Sequence, residues 1–486
     1  MSPYFTDLAQ QYIDGEWRPG TGSWDIIDFN PYDGEKLASI TIAAVDEIDQ
    51  AYRAAARAQK QWAATNPYAR RAVFEKALRL VEERAGEITE AIIAELGGTH
   101  LKAGFELHLA KEFLRESVHL ALRPEGKILP SPVDGKENRL YREPVGVVGV
   151  ISPFNFPFLL ALKSVAPALA LGNGVVLKPH QNTPIVGGTL VAKIFEDAGL
   201  PGGLLNVVVT DIAEIGDAFI EHPIPKVISF TGSDKVGRHV ATVCAALFKR
   251  SVLELGGNSA IVVLDDADVD YAVDAAVFSR YVHQGQVCMA ANRVLVDRSI
   301  ADAFTEKFVA KVKSLRSGDP RDPGTVIGPV INSRQAEAIS ATVEQAIAEG
   351  ATALVHGATT DNLVEPSVLT DVPADSALLR QEVFGPVAFL IPFDGEEEAV
   401  RLVNDTPYGL SGAVHTGDVE RGVAFARKID TGMFHVNDGT VHDEPLVPFG
   451  GEKNSGIGRL NGETTLEAFT TLKWISVQHG RSGFPF

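Results

Sequence analysis

Cysteine is scarce in this chain, which has two cysteines in 486 residues. So few thiols cannot form a disulfide framework, and a reducing compartment, the cytoplasm, is the expected location. Basic residues are also in short supply, because 44 lysines and arginines stand against 63 aspartates and glutamates, a formal net charge of −19. So acidic a chain argues against nucleic acid and anionic membranes as partners.

Targeting signals, long apolar runs and metal-binding patterns are missing as well. Residues 1–7 show no basic stretch followed by an apolar run, so no signal peptide is expected. The apolar segments are interrupted before they reach membrane-spanning length. The 12 histidines form no His-x-x-x-His or Cys/His cluster, so no metal site is predicted.

The length and the order of patterns predict an α/β protein with more than one domain, since 486 residues exceed what one hydrophobic core usually supports. Residues 46–121 have helical periodicity. From Val145 onward, short apolar strands alternate with helices, which is typical of a doubly wound parallel sheet. The alternation resumes at Ser259 and continues to about residue 455, which predicts a second α/β domain.

Two segments do not fit these domains. Residues 126–144 mix prolines and glycines with strand-forming residues, and this mixture predicts an extended hairpin arm. Near the end of the chain, residues 468–477 are expected to form a strand that pairs outside its own domain.

The two cysteines lie in different sequence contexts. Cys244 shares helical spacing with Val240, Val243 and Leu247, so it is interpreted as a small core residue. Cys288 follows Gly285 in a stretch with loop character, where backbone freedom and access suit a nucleophile. Taken alone, Cys288 would by default be interpreted as a structural thiol.

Four of the predicted strands end in polar groups. Because ligands of open parallel sheets bind beyond the carboxyl ends of the strands, we expect these groups to converge on one edge. Each also has a simpler explanation, as a turn residue, a surface charge, a helix cap or an exposed strand end. The groups are Asn155, Lys178, the Gly232-Ser233 helix start and Glu254.

No Gly-x-Gly-x-x-Gly fingerprint follows any of these strands, so a dinucleotide could be bound only by a variant of that scheme. The motifs nevertheless resemble the aldehyde dehydrogenase superfamily, in family order and over nearly the whole chain. They are Phe154–Pro157, Lys178-Pro179, Phe230–Ser233, Leu253–Gly257, Gln284–Cys288, Glu382–Pro386, Pro407–Leu410 and Pro448–Gly451.

The resemblance implies a Rossmann-like NAD(P)-binding domain, a catalytic α/β domain and a small β oligomerisation arm. The corresponding segments are 1–122 with 146–256, then 257–458, and finally 123–145 with 459–486. A homodimer or homotetramer is expected, with a small-molecule aldehyde as the substrate.

The resemblance also implies roles for individual residues. Cys288 would attack the aldehyde, the Asn155 amide and the Cys288 backbone N–H would stabilise the oxyanion, and Glu254 would activate water to hydrolyse the thioester. Glu382 would bind the nicotinamide ribose, with Phe384 beside the ring.

Further residues are assigned to the cofactor. Lys178 would bind the adenosine ribose, and Gly232 with Ser233 would receive the pyrophosphate. Ser152 and Phe154 are also expected to lie against the cofactor. Many NAD-specific relatives carry a glutamate where this chain has Gln181, so NADP is expected to be tolerated alongside NAD.

The substrate is expected to be an aromatic aldehyde. His283, Met289 and the segment 442–445 are similar to benzaldehyde and vanillin dehydrogenases. Apolar candidates for the substrate tunnel favour an uncharged aldehyde, although the same residues could simply pack the core. These candidates are Phe156, Leu160, Met289 and Phe449.

Alternative functions remain open at this point. A semialdehyde or aliphatic aldehyde is possible, but an acidic semialdehyde would need an arginine in the tunnel, and Arg293 is expected to be structural. A CoA-acylating enzyme would not need Glu254. A cysteine hydrolase would need a base such as His283 but would not need Lys178 or Glu382. A non-catalytic protein on this scaffold is the last alternative.

Overall fold

The structure is a computed structural model that describes residues 4–486. The first three residues of the predicted cofactor-binding segment 1–122, which also begin the segment inspected for a signal peptide, lie outside the described residues. Within residues 4–486, no helix combines the length and the apolar character needed to cross a bilayer.

The helices account for most of residues 45–120 and for many of the connections between strands. Residues 46–121, predicted to be helical, form four helices, α2 to α5, which confirms that prediction. The first eight helices are α1 Tyr4–Asp7, α2 Val45–Ala64, α3 Pro67–Glu83, α4 Ala85–Leu96, α5 His100–Leu120, α6 Pro157–Ala170, α7 Leu190–Ala198 and α8 Ile212–Ile215. The next are α9 Ala218–Glu221, α10 Asp234–Ala246, α11 Val269–Tyr281, α12 Ala301–Lys313, α13 Ser333–Ala348, α14 Glu396–Asn404, α15 Val419–Ala426 and α16 Gly462–Phe469.

The strands are short, and most of the longer ones are rich in valine, isoleucine and leucine. The first twelve are β1 Gln11–Ile13, β2 Glu16–Arg18, β3 Asp25–Phe29, β4 Lys36–Thr41, β5 Lys127–Leu129, β6 Lys136–Pro144, β7 Val147–Ile151, β8 Gly174–Lys178, β9 Leu205–Val207, β10 Val227–Thr231, β11 Arg250–Glu254 and β12 Ser259–Val263. The others are β13 Ala291–Asp297, β14 Thr352–Val355, β15 Thr359–Thr360, β16 Leu363–Val364, β17 Ser367–Thr370, β18 Val387–Phe393, β19 Tyr408–Gly409, β20 Gly412–His415, β21 His435–Val436, β22 Glu452–Lys453, β23 Gly456–Ile457 and β24 Thr470–Gln478.

The first sheet has eight strands in the order β2-β1-β9-β8-β7-β10-β11-β23. Its five central strands, in the order β9-β8-β7-β10-β11, are parallel to one another. The order in which the chain adds strands reverses between β7 and β10. A strand that is buried on both faces has apolar residues at nearly every position. The strands β7 and β8 are buried and have this character, since each contains consecutive valines. The predicted doubly wound parallel sheet is therefore confirmed.

The second sheet has seven strands in the order β14-β17-β18-β13-β12-β20-β21, and all its neighbours are parallel except β14 with β17. This arrangement confirms the second α/β unit. Helices α11 and α12 pack on it around Phe304 and Phe308, which are fully buried.

A separate three-stranded sheet, in the order β24-β6-β5, has the hairpin β5-β6 paired with the C-terminal strand β24. The strand expected over residues 468–477 begins at Thr470, because Ala468 and Phe469 still belong to α16. Phe469 is buried in the same core as the first sheet. The domain boundaries themselves stay a prediction.

One helix of the first sheet departs from the expected pattern. The helical segment that follows β8 begins with a π-helical turn, Ile185–Thr189, before α7. The buried Glu95 carboxylate accepts the N–H groups of Ile185 and Val186 at 2.8 Å each. These bonds satisfy donors at the start of the helix and hold the segment that follows Lys178.

Candidate active site

The polar groups expected at strand ends lie along one edge of the first sheet. Ile151 at the end of β7 pairs with Lys178 at the end of β8, and Thr231 at the end of β10 pairs with Glu254 at the end of β11. The reversal of strand order between β7 and β10 opens a crevice at this edge, which is where open α/β sheets bind ligands.

Cys288 lies in a loop between α11 and β13, and its side chain is half-buried. The chain enters this loop through three left-handed residues, His283, Gln284 and Gly285, with φ of 51°, 53° and 73°. Two of them are not glycine, and left-handed backbone costs free energy for such residues. The surrounding contacts must therefore hold the loop. Cys244, by contrast, is buried in α10, as expected.

Hydrogen bonds from Arg280 hold this loop in place, and the sequence analysis did not identify this residue. Its fully buried guanidinium donates to the carbonyl oxygens of Gly285 at 2.9 Å, Val383 at 3.2 Å and Gly385 at 2.6 Å. Arg280 thus joins the cysteine loop to the segment that carries Glu382. The sequence offers no signal for this role, since a lone arginine near the end of a helix is usually exposed.

Close approaches bring the segment between β11 and β12 against the same loop. A Cβ atom on Gly257 would lie 2.3 Å from the Cys288 carbonyl oxygen, and one on Gly256 would lie 2.5 Å from Glu382 Oε2. Only glycine leaves room for these contacts. The Gly257 N–H donates to Glu382 Oε1 at 3.0 Å, which fixes the Glu382 carboxylate at the sheet edge.

A cavity of about 620 Å³, its open mouth included, lies beside the loop. Cys288, Glu254 and Asn155 all line it, although 133 residues separate Asn155 from Cys288 in the chain. The Asn155 Nδ2 donates to the Gln286 carbonyl oxygen at 3.0 Å, so its amide lies against the cysteine loop. The four candidate tunnel residues also line the cavity, namely Phe156, Leu160, Met289 and Phe449.

The cavity also has walls that sequence reasoning missed. Phe105 and Leu109 of α5 line it, and so do Lys163 and Asp443. Lys163 could have been found from sequence, because it follows the candidate Leu160 by three residues on the same face of α6. Arg293 does not line the cavity but donates to carbonyl oxygens in the second domain, as its expected structural role implies.

Burial changes the protonation of the two reactive groups. It raises the pKa of Glu254 to about 8, while Lys163 lowers it, and neither Glu254 oxygen accepts a hydrogen bond from residues 4–486. Burial also raises the pKa of Cys288 to about 12, with further increases from the carboxylates of Glu382 and Glu254. The chain alone therefore holds Cys288 as a thiol.

The candidate cofactor residues surround the crevice. Burial lowers the pKa of Lys178 at the end of β8. The Ser152 N–H donates to the Lys178 carbonyl oxygen at 3.1 Å. The Phe154 ring lies 5.8 Å from that of Phe384 in an edge-to-face arrangement, and Gln181 is exposed.

The start of α10 lies on the same edge. Ser233 caps this helix by accepting the Val236 N–H at 3.4 Å, and Gly232 precedes it. A helix of 13 residues offers unpaired N–H groups at its first turn, which suit an anion such as a pyrophosphate. Burial raises the pKa of Glu382 to about 7, and the Gly257 N–H opposes this shift. The carboxylate, the ammonium and the helix start fit the ribose and phosphate groups of a dinucleotide.

This fold and site define an oxidoreductase with a cysteine at the cofactor crevice. Residues 17–475 match the model of the aldehyde dehydrogenase family, and the chain belongs to that family.

Named relatives match almost the full length of the chain. A benzaldehyde dehydrogenase of Bacillus subtilis is 59% identical over 482 residues, 99% of each chain. A vanillin dehydrogenase of Corynebacterium glutamicum is 47% identical, over 97% of this chain and 98% of its own. The crystal structure of an NAD-dependent benzaldehyde dehydrogenase from Corynebacterium glutamicum superposes with a TM-score of 0.89 at 44% identity, covering 97% of this chain and 98% of that one.

Proposed function

We propose that this protein oxidises aromatic aldehydes to carboxylic acids with NAD as the electron acceptor. The observation that carries the proposal is one cavity in which Cys288, Glu254 and Asn155 meet walls of phenylalanine, leucine and methionine. Apolar walls with few polar groups suit an aromatic ring. The names of the relatives, benzaldehyde and vanillin dehydrogenases, support the same substrate class.

Cys288 makes the oxidation possible because an aldehyde carbonyl does not release hydride readily. The Cys288 thiol gives its proton to solvent, and attack by the resulting thiolate Sγ on the carbonyl carbon gives a tetrahedral oxyanion. Re-formation of the C=O bond then expels the hydride. A thioester on Cys288 remains. NAD, when bound, supplies the hydride acceptor and a cationic ring.

Asn155 stabilises the oxyanion by donating a hydrogen bond to it. Its amide has two N–H donors, and one of them already donates to the Gln286 carbonyl oxygen, which fixes its orientation. Within residues 4–486 neither the other N–H nor the Cys288 backbone N–H has a hydrogen-bond acceptor, so both can donate to the developing negative charge. Such a donor pair acts without reorganisation, and loss of one donor costs about 3 kcal/mol in the barrier.

Glu254 completes the reaction by accepting a proton from the water that hydrolyses the thioester. A carboxylate with a pKa of about 8 is a stronger base than an exposed glutamate, because burial destabilises its charged form. Since neither of its oxygens accepts a hydrogen bond from the part of the chain that the structure describes, both are available to water.

The cofactor would lie along the crevice of the first sheet. Glu382 is assigned to the hydroxyls of the nicotinamide ribose and Lys178 to those of the adenosine ribose. Gly232 and Ser233, at the start of α10, would hold the pyrophosphate. Ser152 is assigned to the floor of the crevice, and the edge-to-face rings of Phe154 and Phe384 to its nicotinamide end.

Gln181 should permit NADP to replace NAD. A glutamate at this exposed position would repel a 2′-phosphate, whereas the neutral amide does not. We expect measurable turnover with NADP and expect Gln181→Glu to lower kcat/KM for NADP at least about tenfold relative to NAD. Steady-state kinetics with both cofactors, with Gln181→Asn as the neutral control, check this. An unchanged NAD/NADP ratio in Gln181→Glu would refute it.

We also propose an oligomer and a division into domains. Residues 1–122 with 146–256 would form the cofactor-binding domain, 257–458 the catalytic domain, and 123–145 with 459–486 the oligomerisation arm. The arm leaves Ile128 and Trp474 72% and 66% exposed, which a second copy in a dimer or tetramer would cover. Sedimentation showing a monomer at micromolar concentration would contradict this. Two free thiols favour the cytoplasm as the location.

An aldehyde panel tests the proposed function. At fixed NAD, kcat/KM should be highest for benzaldehyde and vanillin and at least about tenfold lower for hexanal and succinic semialdehyde, because the cavity wall offers an aromatic ring more apolar contact. The product should be the free acid, and added CoA should not divert it to an acyl-CoA. Preference for succinic semialdehyde, or CoA-dependent turnover, would favour the alternative enzymes.

A further inference from the structure

An ion pair interrupts the apolar wall of the aldehyde cavity. Phe156, Leu160 and Lys163 follow one another at helical spacing along α6 and all line the cavity. The Lys163 side chain is 2% exposed, and its Nζ lies 2.6 Å from Oδ2 of Asp443, which is 6% exposed. Burying two charges costs free energy, so such a pair in a substrate cavity calls for an explanation.

The Lys163 ammonium is only partly satisfied. It has three N–H donors, and Asp443 accepts one of them. The face of the Phe449 ring, whose centroid is 3.4 Å from Nζ, receives a second. The Phe113 ring is its next aromatic neighbour, with the centroid 5.3 Å from Nζ. Within residues 4–486 Nζ makes no other hydrogen bond, so one donor is left without a hydrogen-bond acceptor.

The Asp443 carboxylate also has unused hydrogen-bond acceptor sites. Its Oδ2 accepts from Lys163, and its Oδ1 accepts from Asn461 Nδ2 at 2.9 Å. A carboxylate has about four lone-pair sites, so further acceptor sites remain. The pair therefore presents a donor and an acceptor side by side on a wall that is otherwise largely apolar.

We propose that Lys163 and Asp443 recognise a hydroxyl group on the ring of the aromatic aldehyde. This inference rests on the proposed function and specifies its substrate class. A hydroxyl accepts from Lys163 and donates to Asp443 at once, whereas a methoxy oxygen only accepts. A carboxylate also only accepts, and the Asp443 charge repels it.

The hydroxyl belongs on the part of the ring remote from the aldehyde. Asn155 and Cys288 define the aldehyde end, and Asn155 lies just before the first turn of α6. Lys163 is attached two turns further along, roughly 10 Å from Phe156 along the helix axis. A benzaldehyde with a hydrogen bond at each end spans a comparable length, so the recognised position is carbon 3 or 4 and not carbon 2.

The test compares substrates of equal size. We would measure kcat/KM, from NADH fluorescence, for 4-hydroxybenzaldehyde, 3-hydroxybenzaldehyde, 2-hydroxybenzaldehyde and 4-methylbenzaldehyde. Methyl and hydroxyl groups have similar volume, so the 4-hydroxy/4-methyl ratio isolates the polar contacts. Comparison of this ratio between protein variants cancels the intrinsic reactivity of each aldehyde.

In Lys163→Met we expect the 4-hydroxy/4-methyl ratio to fall about ten- to hundredfold, the range of a hydrogen bond to a charged group. The ratio of 2-hydroxy to 4-methyl should change much less. Lys163→Met leaves the Asp443 carboxylate buried without its partner, which could destabilise the fold. The double variant Lys163→Met/Asp443→Leu removes both charges, so a fall in the ratio that it shares with the single variant is not caused by an unpaired buried charge. Lys307→Met, which removes a lysine from a surface pair with Asp270, is the matched control.

A second readout is independent of turnover. Calorimetry with Cys288→Ala protein should show tighter binding of 4-hydroxybenzaldehyde than of 4-methylbenzaldehyde, and Lys163→Met in that background should remove the difference. An unchanged 4-hydroxy/4-methyl ratio in both Lys163 variants, or an equal fall for all four aldehydes, would overturn the inference. Failure of the unmodified protein to oxidise any of the four aldehydes would instead overturn the proposed function.

Discussion

Replacing Cys288 by alanine should lower kcat for benzaldehyde at least about 10⁴-fold, as the loss of a nucleophile does in other covalent enzymes. Without the sulfur no tetrahedral adduct forms, and the aldehyde has no means to expel a hydride. NADH formation in the steady state measures the loss. Mass spectrometry of the unmodified protein quenched during turnover should show an acylated Cys288.

Cys244 provides the matched control, because it is the other cysteine and lies buried in α10. Cys244→Ala should change kcat by no more than about twofold, since a substitution away from the site acts on stability and not on chemistry. Undiminished turnover in Cys288→Ala, or an equal loss in both variants, would exclude Cys288 as the nucleophile. With a pKa of about 12, Cys288 should also react slowly with iodoacetamide near pH 7 when NAD is absent, and faster as the pH rises.

Replacing Glu254 by glutamine should slow hydrolysis of the thioester about 10²- to 10⁴-fold while leaving the first turnover in place. The amide has the shape of the acid but cannot accept a proton from water. Rapid mixing should therefore show a burst of NADH close to one per subunit, followed by a slow steady state. The acylated enzyme should accumulate and be visible by mass spectrometry.

The pH dependence gives the same prediction a second readout. Only the ionised Glu254 can act as the base, and its pKa is raised to about 8 by burial. Where hydrolysis limits turnover, kcat should rise about tenfold per pH unit below pH 8 and level off above it. This inflection should be absent in Glu254→Gln and present in Glu75→Gln, a control on the surface of α3. Loss of the NADH burst together with the steady state would argue against a role confined to hydrolysis.

Much of the fold could be predicted because its signals are local. The apolar runs of β7, β8 and β10 and the helices that follow them are encoded in adjacent residues, and their alternation determines a parallel sheet. The boundaries were less accurate. The strand expected over residues 468–477 begins at Thr470, because α16 continues to Phe469. The helix after β8 begins with a π-helical turn held by Glu95, which is about 90 residues away in the chain.

Some residues of the candidate site could likewise be predicted from the sequence, and others could not. Asn155, Lys178 and Glu254 could be assigned because strand ends of a parallel sheet share an edge, and the family motifs pointed to Cys288. The contacts of Arg280 with Val383 and Gly385 could not be predicted, because these partners lie far off in sequence. The segment 442–445 pointed to the substrate class but gave no partner for Asp443. Asp443 pairs with Lys163 across 280 residues.

The sequence by itself determined the α/β architecture, the family and the residue types available for the chemistry, because periodicity and motifs are written in short stretches of chain. The tertiary structure alone decided which of those side chains meet and how they ionise. Burial raises the pKa of Glu254 and Cys288, and burial depends on how segments hundreds of residues apart pack. The ion pair in the substrate cavity has the same origin, since it exists only where α6 lies against the loop that carries Asp443.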